Sequence, residues 1–252
     1  MAHQKQQLMP IKHMPMLVLA GGFGTRLREA VPELPKALAP VGGKPFLAHM
    51  LELWRQHGIR RYVFLLHHKA SDIIAFLEAE QASGEVLRDC TFSIVLESEP
   101  LGTGGAIANG VREQNLQGGF LVANADTWLG RGHQELAAST SPAMAVVHVE
   151  NADRYGTVDI SGQCISAFRE KSGMTLSGWI NAGLYKLDDR ICGFRPAASS
   201  FSLERDYLPH LVETDGIQAV QVQADFIDIG VPNDYRQFQR WAQRGKVGPV
   251  KE

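Results

Sequence analysis

Apolar residues along this chain fall into two patterns. Short continuous runs bounded by glycine, proline or charge suit strands buried on both faces. Apolar residues three and four apart suit helices lying against them. The first run, Met16–Ala20, is continuous and passes straight into glycines, so it predicts a buried strand. A glycine-rich stretch runs from Gly21 to Lys44. Phe46, Leu47, Met50, Leu51 and Trp54 then recur at helical spacing, with Pro45 suited to the first turn and Gly58 to the end. Arg61–Leu66, Phe92–Leu96 and Phe120–Ala123 predict further strands. Ser71–Glu80 and Gly104–Val111 predict the helices between them.

Strand and helix thus alternate through the first half. This predicts an α/β fold: a single-domain, Rossmann-like mixed sheet, mainly parallel and flanked by helices. Right-handed crossovers place the loops that follow the strands at one sheet edge, where ligands bind in such folds. The three most unusual segments, Gly21–Lys36, Glu97–Gly105 and Asn124–Thr127, all follow strands and are expected to meet there. The second half is richer in strands: Ala143–Glu150, Gly156–Ile160, Cys164–Arg169, Trp179–Leu187, Val220–Val222 and Phe226–Ile229. Ser202–Val212 reads as a helix, and a last helix starts near Pro232. No internal repeat or low-complexity linker divides the chain. One domain over 16–245 is expected, after a loose polar tail at 1–15.

Composition narrows the partners. The 252 residues are 44% hydrophobic and 21% charged, with a net charge of −2, and Lys and Arg are scattered. No nucleic-acid partner is expected, because such partners demand a basic face. No segment reaches the roughly 20 apolar residues that span a bilayer, and the first 15 residues hold no signal-peptide run, so a cytoplasmic protein without a membrane partner is expected. Cys90, Cys164 and Cys192 are odd in number and far apart, which predicts buried free thiols rather than a disulfide framework or zinc site. A symmetric homodimer is the default expectation for assembly.

The strongest chemical signal is Leu19-Ala20-Gly21-Gly22-Phe23-Gly24-Thr25-Arg26-Leu27. Three glycines in four positions let backbone N–H groups approach anionic oxygens, Arg26 adds a planar fork for phosphate, and Lys36 adds a second cation. Two commoner nucleotide motifs fail. Gly43-Lys44 is followed by Pro45 rather than Ser or Thr, and Leu27 stands where a dinucleotide fingerprint has its third glycine. His67-His68 is set aside as a metal pair, since adjacent strand residues face opposite ways.

This loop, followed by Leu34-Pro35-Lys36-Ala37-Leu38-Ala39-Pro40-Val41, resembles the signature of the sugar-1-phosphate nucleotidyltransferases, whose fold is that of nucleotide-diphospho-sugar transferases. The resemblance runs from about Met16 to about Trp241. Glu97-Ser98-Glu99-Pro100-Leu101-Gly102-Thr103-Gly104-Gly105 and Phe226-Ile227-Asp228-Ile229-Gly230 are most similar to those of the heptose 1-phosphate guanylyltransferases. The resemblance implies a magnesium-dependent enzyme that joins a nucleoside triphosphate to a sugar 1-phosphate and releases pyrophosphate.

It also implies site residues. Arg26, Lys36 and Lys171 would be catalytic. Ala20, Gly21, Gly22, Gly24 and Thr25 would hold the nucleotide together with Glu97, Gly102 and Thr103. Asp126 and Asp228 would bind Mg2+, with Asp225 a competitor for the second place. Gly156, Glu170 and Asn181 would face the sugar, although Ser172 stands where many relatives have proline. Chemistry adds a base preference. A carboxylate only accepts hydrogen bonds. Guanine offers two adjacent donors, whereas uracil and thymine flank one donor with acceptors. Glu97, with Glu99 as second candidate, therefore leans toward GTP. A heptose 1-phosphate follows from the closer resemblance. The competing readings are a mannose-1-phosphate guanylyltransferase, a uridylyl- or thymidylyltransferase, and an idle nucleotide-sugar-binding regulator.

Overall fold

The computed structural model describes residues 9–169, 177–194, 196 and 200–247. A 3-10 turn, Ile11–His13, leads into strand β1 (Pro15–Leu19). A small hairpin of β2 (Pro40–Val41) and β3 (Lys44–Pro45) precedes helix α1 (Phe46–Gln56). There follow β4 (Arg61–Leu66), α2 (Ala70–Ser83), β5 (Thr91–Leu96), α3 (Gly102–Glu113), β6 (Gly119–Asn124), β7 (Thr127–Leu129) and α4 (His133–Ala138). The second half holds β8 (Ala143–Val149), β9 (Thr157–Ser161), β10 (Cys164–Arg169), β11 (Gly178–Asp188), α5 (Leu208–Thr214), β12 (Ile217–Val222), β13 (Phe226–Asp228) and α6 (Pro232–Gln243).

Nine strands form one sheet in the order β5-β4-β1-β6-β11-β8-β12-β10-β9. The continuous apolar runs are explained by cover on both faces. Met16 and Val18 of β1 join one core with Phe64, Leu66, Leu121 and Ala123, under α1, α2 and α6. Leu17 joins the opposite core with Val63, Leu65, Phe120 and Val122, under α3 and α5. Each of these Val, Leu, Phe and Met side chains, once buried, stabilises the fold by about 1.5–3 kcal/mol. β1, β4, β5 and β6 are mutually parallel, so their C-terminal ends share one edge. β11 then runs antiparallel to both β6 and β8, and β10 antiparallel to β12 and β9, so the parallel character is concentrated in the first half of this mixed sheet. A separate ribbon pairs β7 with β13 antiparallel, Thr127 opposite Asp228.

Several expectations need correcting. Ser202–Val212 is not one α-helix: Leu203–Tyr207 forms a π-helical turn and α5 starts at Leu208. Pro209 lacks the N–H that would continue the regular ladder across that junction. His67 and His68 follow the end of β4 rather than lying on it, and both rings pack against Phe23. Cys90 and Cys164 are free thiols, but the expected burial fails: Cys164 is exposed and Cys90 and Cys192 are half-buried. The order of the chain begins before Met16, because Met14 is buried and Pro15 already belongs to β1. α4 and β7 were not expected; each is too short to show a clear period. No helix among the described residues is long and apolar enough to cross a membrane.

Two buried ionisable groups, Lys186 and His133, sit at α4. Lys186 of β11 donates to the carbonyls of Ala137 and Ser139 at 2.6 and 2.5 Å, closing the end of α4. His133 is buried and stacks on His57, centroids 4.5 Å apart, while His57 Nε2 donates to the Gly130 carbonyl at the end of β7. Burial, and then the neighbouring His57, hold the His133 imidazole well below its ordinary range. Burial also lowers His57, against its bond to Gly130 and the charge of Glu135. A depressed imidazole stays neutral in the folded chain while the unfolded chain takes up a proton below about pH 6.5. The stability from this pocket is therefore fully present above that pH and lost as pH falls, by at most about 1.4 kcal/mol per pH unit for His133. Denaturant unfolding between pH 7.5 and 5 should show this fall, and His133→Leu should flatten it. An unchanged slope in the variant would contradict the assignment.

Candidate active site

The glycine-rich loop leaves the C-terminal end of β1 at the shared edge. Gly24 adopts a left-handed conformation, φ 59°, and starts a 3-10 turn over Thr25–Leu27. Leu27 anchors that turn in the core and leaves Thr25 and Arg26 exposed. Lys36 opens a second 3-10 turn, Lys36–Leu38, held down by buried Ala37 and Leu38. The two turns face each other across a cleft of about 380 Å³ lined by Gly22, Gly24, Thr25, Arg26, Lys36, Asp126 and Gly230. Ala20 lines it as well.

Lys36 is the centre of this cleft. Its Nζ lies 2.6 Å from Asp126 Oδ2 and 3.1 Å from Asp228 Oδ1, and its side chain is 12% exposed. The β7–β13 ribbon brings the two aspartates together: Asp126 immediately precedes β7, Asp228 ends β13, and Ile229 N donates to the Asp126 carbonyl. Burial alone would lower the Lys36 ammonium, but Asp126 and then Asp228 outweigh it and raise it above its ordinary value, so the cation is retained. Asp228 Oδ1 also accepts Gly230 N–H at 2.7 Å, and Thr127 Oγ1 donates to Asp126 Oδ1 at 3.1 Å. A Cβ at Gly230 would stand 2.8 Å from both Asp228 Oδ1 and Lys36 Nζ, so a side chain there would push these charged groups from their present positions. Asp225, the competitor, points elsewhere and pairs with Lys246 at 2.7 Å.

A second cleft of about 330 Å³ adjoins the first and shares Leu19, Gly22, Phe23 and Asp126 with it. Gly21, Glu97, Gly102 and Thr103 line it, while Glu99 is exposed and does not. Glu97 Oε2 accepts Leu101 N–H at 3.1 Å, which leaves its other oxygen without a protein donor among the described residues. Burial raises the Glu97 carboxyl, opposed by that bond and by His67. His67 Nδ1 donates to the Glu97 carbonyl at 3.0 Å, tying the ends of β4 and β5 together. Phe23, 49% exposed, overhangs the cleft against His67 and His68.

The glycines of α3 have a packing cause as well. Gly104 and Gly105 N–H groups donate to the Phe201 carbonyl at 3.0 and 3.2 Å, and a Cβ at Gly104 would collide with the Phe201 ring. The same contact brings Glu204 into the second cleft, where its Oε2 accepts from Thr103 at 2.8 Å and Ser202 at 3.0 Å. Sequence reasoning missed Glu204 because it lay inside Ser202–Val212, read as a helix with no contact to the glycine segment.

The expected sugar side is less gathered. Asn181 accepts from Gly183 N–H at 2.9 Å and donates to Tyr185 Oη at 2.7 Å, spanning an irregularity in β11. Gly156 lies before β9, its absent Cβ 3.2 Å from the Arg169 carbonyl. Neither lines the two clefts. Glu170 and Lys171 lie outside the described residues. A cluster that sequence reasoning passed over sits beside Gly156. Arg154 pairs with Asp234 of α6 at 2.7 Å and lies over the Tyr155 ring, and Tyr155 packs edge-on against Phe226 of β13. Burial pushes the Tyr155 phenol up to about 12, and it also senses Arg154, Asp234, Asp228 and Arg26.

With this geometry established, comparison with known proteins gives consistent matches. A family profile described as nucleotidyl transferase matches residues 16–244. The chain is 31% identical over 235 residues to a D-glycero-alpha-D-manno-heptose 1-phosphate guanylyltransferase of Aneurinibacillus thermoaerophilus, covering 91% of this chain and 99% of that one. It is 31% identical over 226 residues to the protein of the same name from Campylobacter jejuni, covering 89% and 98%. Among solved structures, HddC from Yersinia pseudotuberculosis complexed with GMP-PN superposes with a TM-score of 0.78 at 32% identity, covering 90% of this chain and 98% of that one.

The contact between α3 and Phe201 can be tested on its own. Gly102 has φ 73° and a Cβ there would collide with the Phe201 carbonyl. Gly102→Ala should destabilise the protein by about 1–3 kcal/mol in denaturant unfolding, through the positive φ and the clash with the Phe201 carbonyl together. Wild-type stability would show that the α3–Phe201 contact is not tight.

Proposed function

Given that the chain belongs to the nucleotidyl transferase family, we propose that it transfers a guanylyl group from GTP to a sugar 1-phosphate, a heptose 1-phosphate by preference, and releases pyrophosphate. The observation that carries this reading is the convergence of Arg26, Lys36, Asp126 and Asp228 where the ends of β1, β6 and β13 meet.

The chemistry needs no protein nucleophile. A phosphate monoester has a second pKa near about 6, so the sugar 1-phosphate reaches the site ionised. Its oxygen attacks the α-phosphorus in line, the new P–O bond forms as the bond to the β-phosphate oxygen breaks, and pyrophosphate leaves. The barrier is charge repulsion and alignment, which preorganised cations and N–H donors lower. Arg26 and the Gly21–Thr25 backbone hold the triphosphate and the departing pyrophosphate. Lys36 bridges toward the reacting phosphates. Lys171, Glu170, Gly156 and Asn181 are assigned to the sugar phosphate from the resemblance.

The family uses a divalent metal, and Mg2+ is the ion proposed here. The donor set fits it: two carboxylates converge, the Lys36 ammonium already stands between them as a cation, and Gly230 keeps the cradle open. Magnesium favours one or two carboxylates completed by water and phosphate oxygens. Asp126 and Asp228 would hold it, and when bound it supplies positive charge to the α-phosphate. Guanine follows from the acceptor-only Glu97 carboxylate in the second cleft. The relatives' names favour guanine and heptose alike.

Pyrophosphate release with magnesium, assayed for GTP, UTP, dTTP, CTP and ATP against heptose 1-phosphate and mannose 1-phosphate, tests the reading. Release with GTP and the heptose phosphate is expected. Release with UTP or dTTP alone would overturn the guanine assignment, and silence across the panel would overturn the reaction. Arg26→Ala and Asp126→Ala should each depress turnover by about 10² or more. Near-normal turnover in both would remove these roles.

A further inference from the structure

Lys36 occupies the place where a metal would approach Asp126 and Asp228. Its backbone is fixed by the turn Lys36–Leu38, but its long stem lets the ammonium move without moving that turn. Three of the four carboxylate oxygens already have protein partners. Asp126 Oδ2 has Lys36, Asp126 Oδ1 has Thr127, and Asp228 Oδ1 has both Lys36 and Gly230. Asp228 Oδ2 has none among the described residues. No group of three or more His, Cys, Asp or Glu side chains capable of holding a metal occurs among them either. A free divalent cation therefore meets two carboxylates whose charge is half neutralised, with the Lys36 ammonium between them.

The same cleft offers the ammonium another partner. Arg26, the glycine loop and Lys36 line it together, so a triphosphate seated there would present oxygens within one cleft of Nζ. We propose that Lys36 is a built-in counterion: it closes the Asp126–Asp228 pair to free divalent cations, and the pair opens when a bound triphosphate draws the ammonium away. This rests on the reading that the two aspartates hold the metal. It makes metal uptake contingent on nucleotide. By linkage, the metal must strengthen nucleotide binding by the same factor. The device also keeps the aspartates from repelling each other while the site waits for substrate.

The test uses Mn2+ alone, with no nucleotide present. Mn2+ binding is followed by the loss of the free-ion electron paramagnetic resonance signal, and thermal midpoints are taken with and without the ion. The proteins are wild type, Lys36→Met and Lys36→Met/Asp126→Asn. Lys36→Met should bind Mn2+ at least about tenfold more tightly than wild type and gain thermal stability from it. Wild type should show little change, and the double variant should lose the gain. Lys36→Gln, which keeps a donor for one aspartate, serves if the methionine variant does not fold. Wild type binding Mn2+ as tightly as the Lys36 variants would overturn the proposal and leave the metal pair standing. Lys36 variants that fold and bind no Mn2+ would overturn the metal assignment, and the proposal with it.

Discussion

The rest of the structure depends on one constraint: a lysine ammonium held between two carboxylates in a half-buried cleft. An uncompensated charge there would be costly, although solvent reaching Asp126, whose side chain is 34% exposed, screens part of that cost. The three residues come from positions 36, 126 and 228, so the chain must fold correctly across almost its whole length to assemble them. The ribbon of β7 and β13 lies beside the main sheet and supplies both acids at a fixed spacing. Its far end is tied to α1 through His57 and Gly130, beside the buried His133. The neutral histidines and the charged triad are thus the two ends of one short element.

The sheet explains why the remaining groups arrive at the same edge. β1, β4, β5 and β6 are parallel, so the segments that follow them emerge side by side. The glycine loop follows β1, His67 follows β4, Glu97 follows β5 and Asp126 follows β6. The antiparallel half takes another task. It carries β9, β10 and β11 out beyond β6, and it returns Phe201 and Glu204 onto the start of α3. The two adjoining clefts correspond to this division, one with cations and carboxylates paired around Lys36 and one acidic around Glu97 and Glu204.

Much of this was legible in the sequence, for physical reasons that can be named. Strands covered on both faces leave continuous apolar runs, so β1, β4 and β6 could be placed within a residue or so. The glycine loop and Lys36 carried enough fixed residue types to predict a phosphate cleft, and parallel crossovers predicted that its loops would meet. What the sequence hid was contact at long range. Gly104 and Gly105 looked like ligand glycines, yet they are also required by the Phe201 ring and carbonyl nearly 100 residues away. Arg154 and Asp234 carry no local sign that they pair. Pro209 was visible, but its effect on the preceding turn depends on the packing of Tyr207 and Leu208. The ion bridge was hidden too, since spacing marks three charged residues as candidates without saying that they touch.

The most direct test is a crystal structure with a non-hydrolysable GTP analogue and Mn2+, read by the anomalous signal of the metal. One Mn2+ is expected between Asp126 and Asp228, with Lys36 Nζ withdrawn from both carboxylates onto a phosphate oxygen. A metal bound elsewhere, with Lys36 still bridging the two aspartates beside a seated nucleotide, would contradict it.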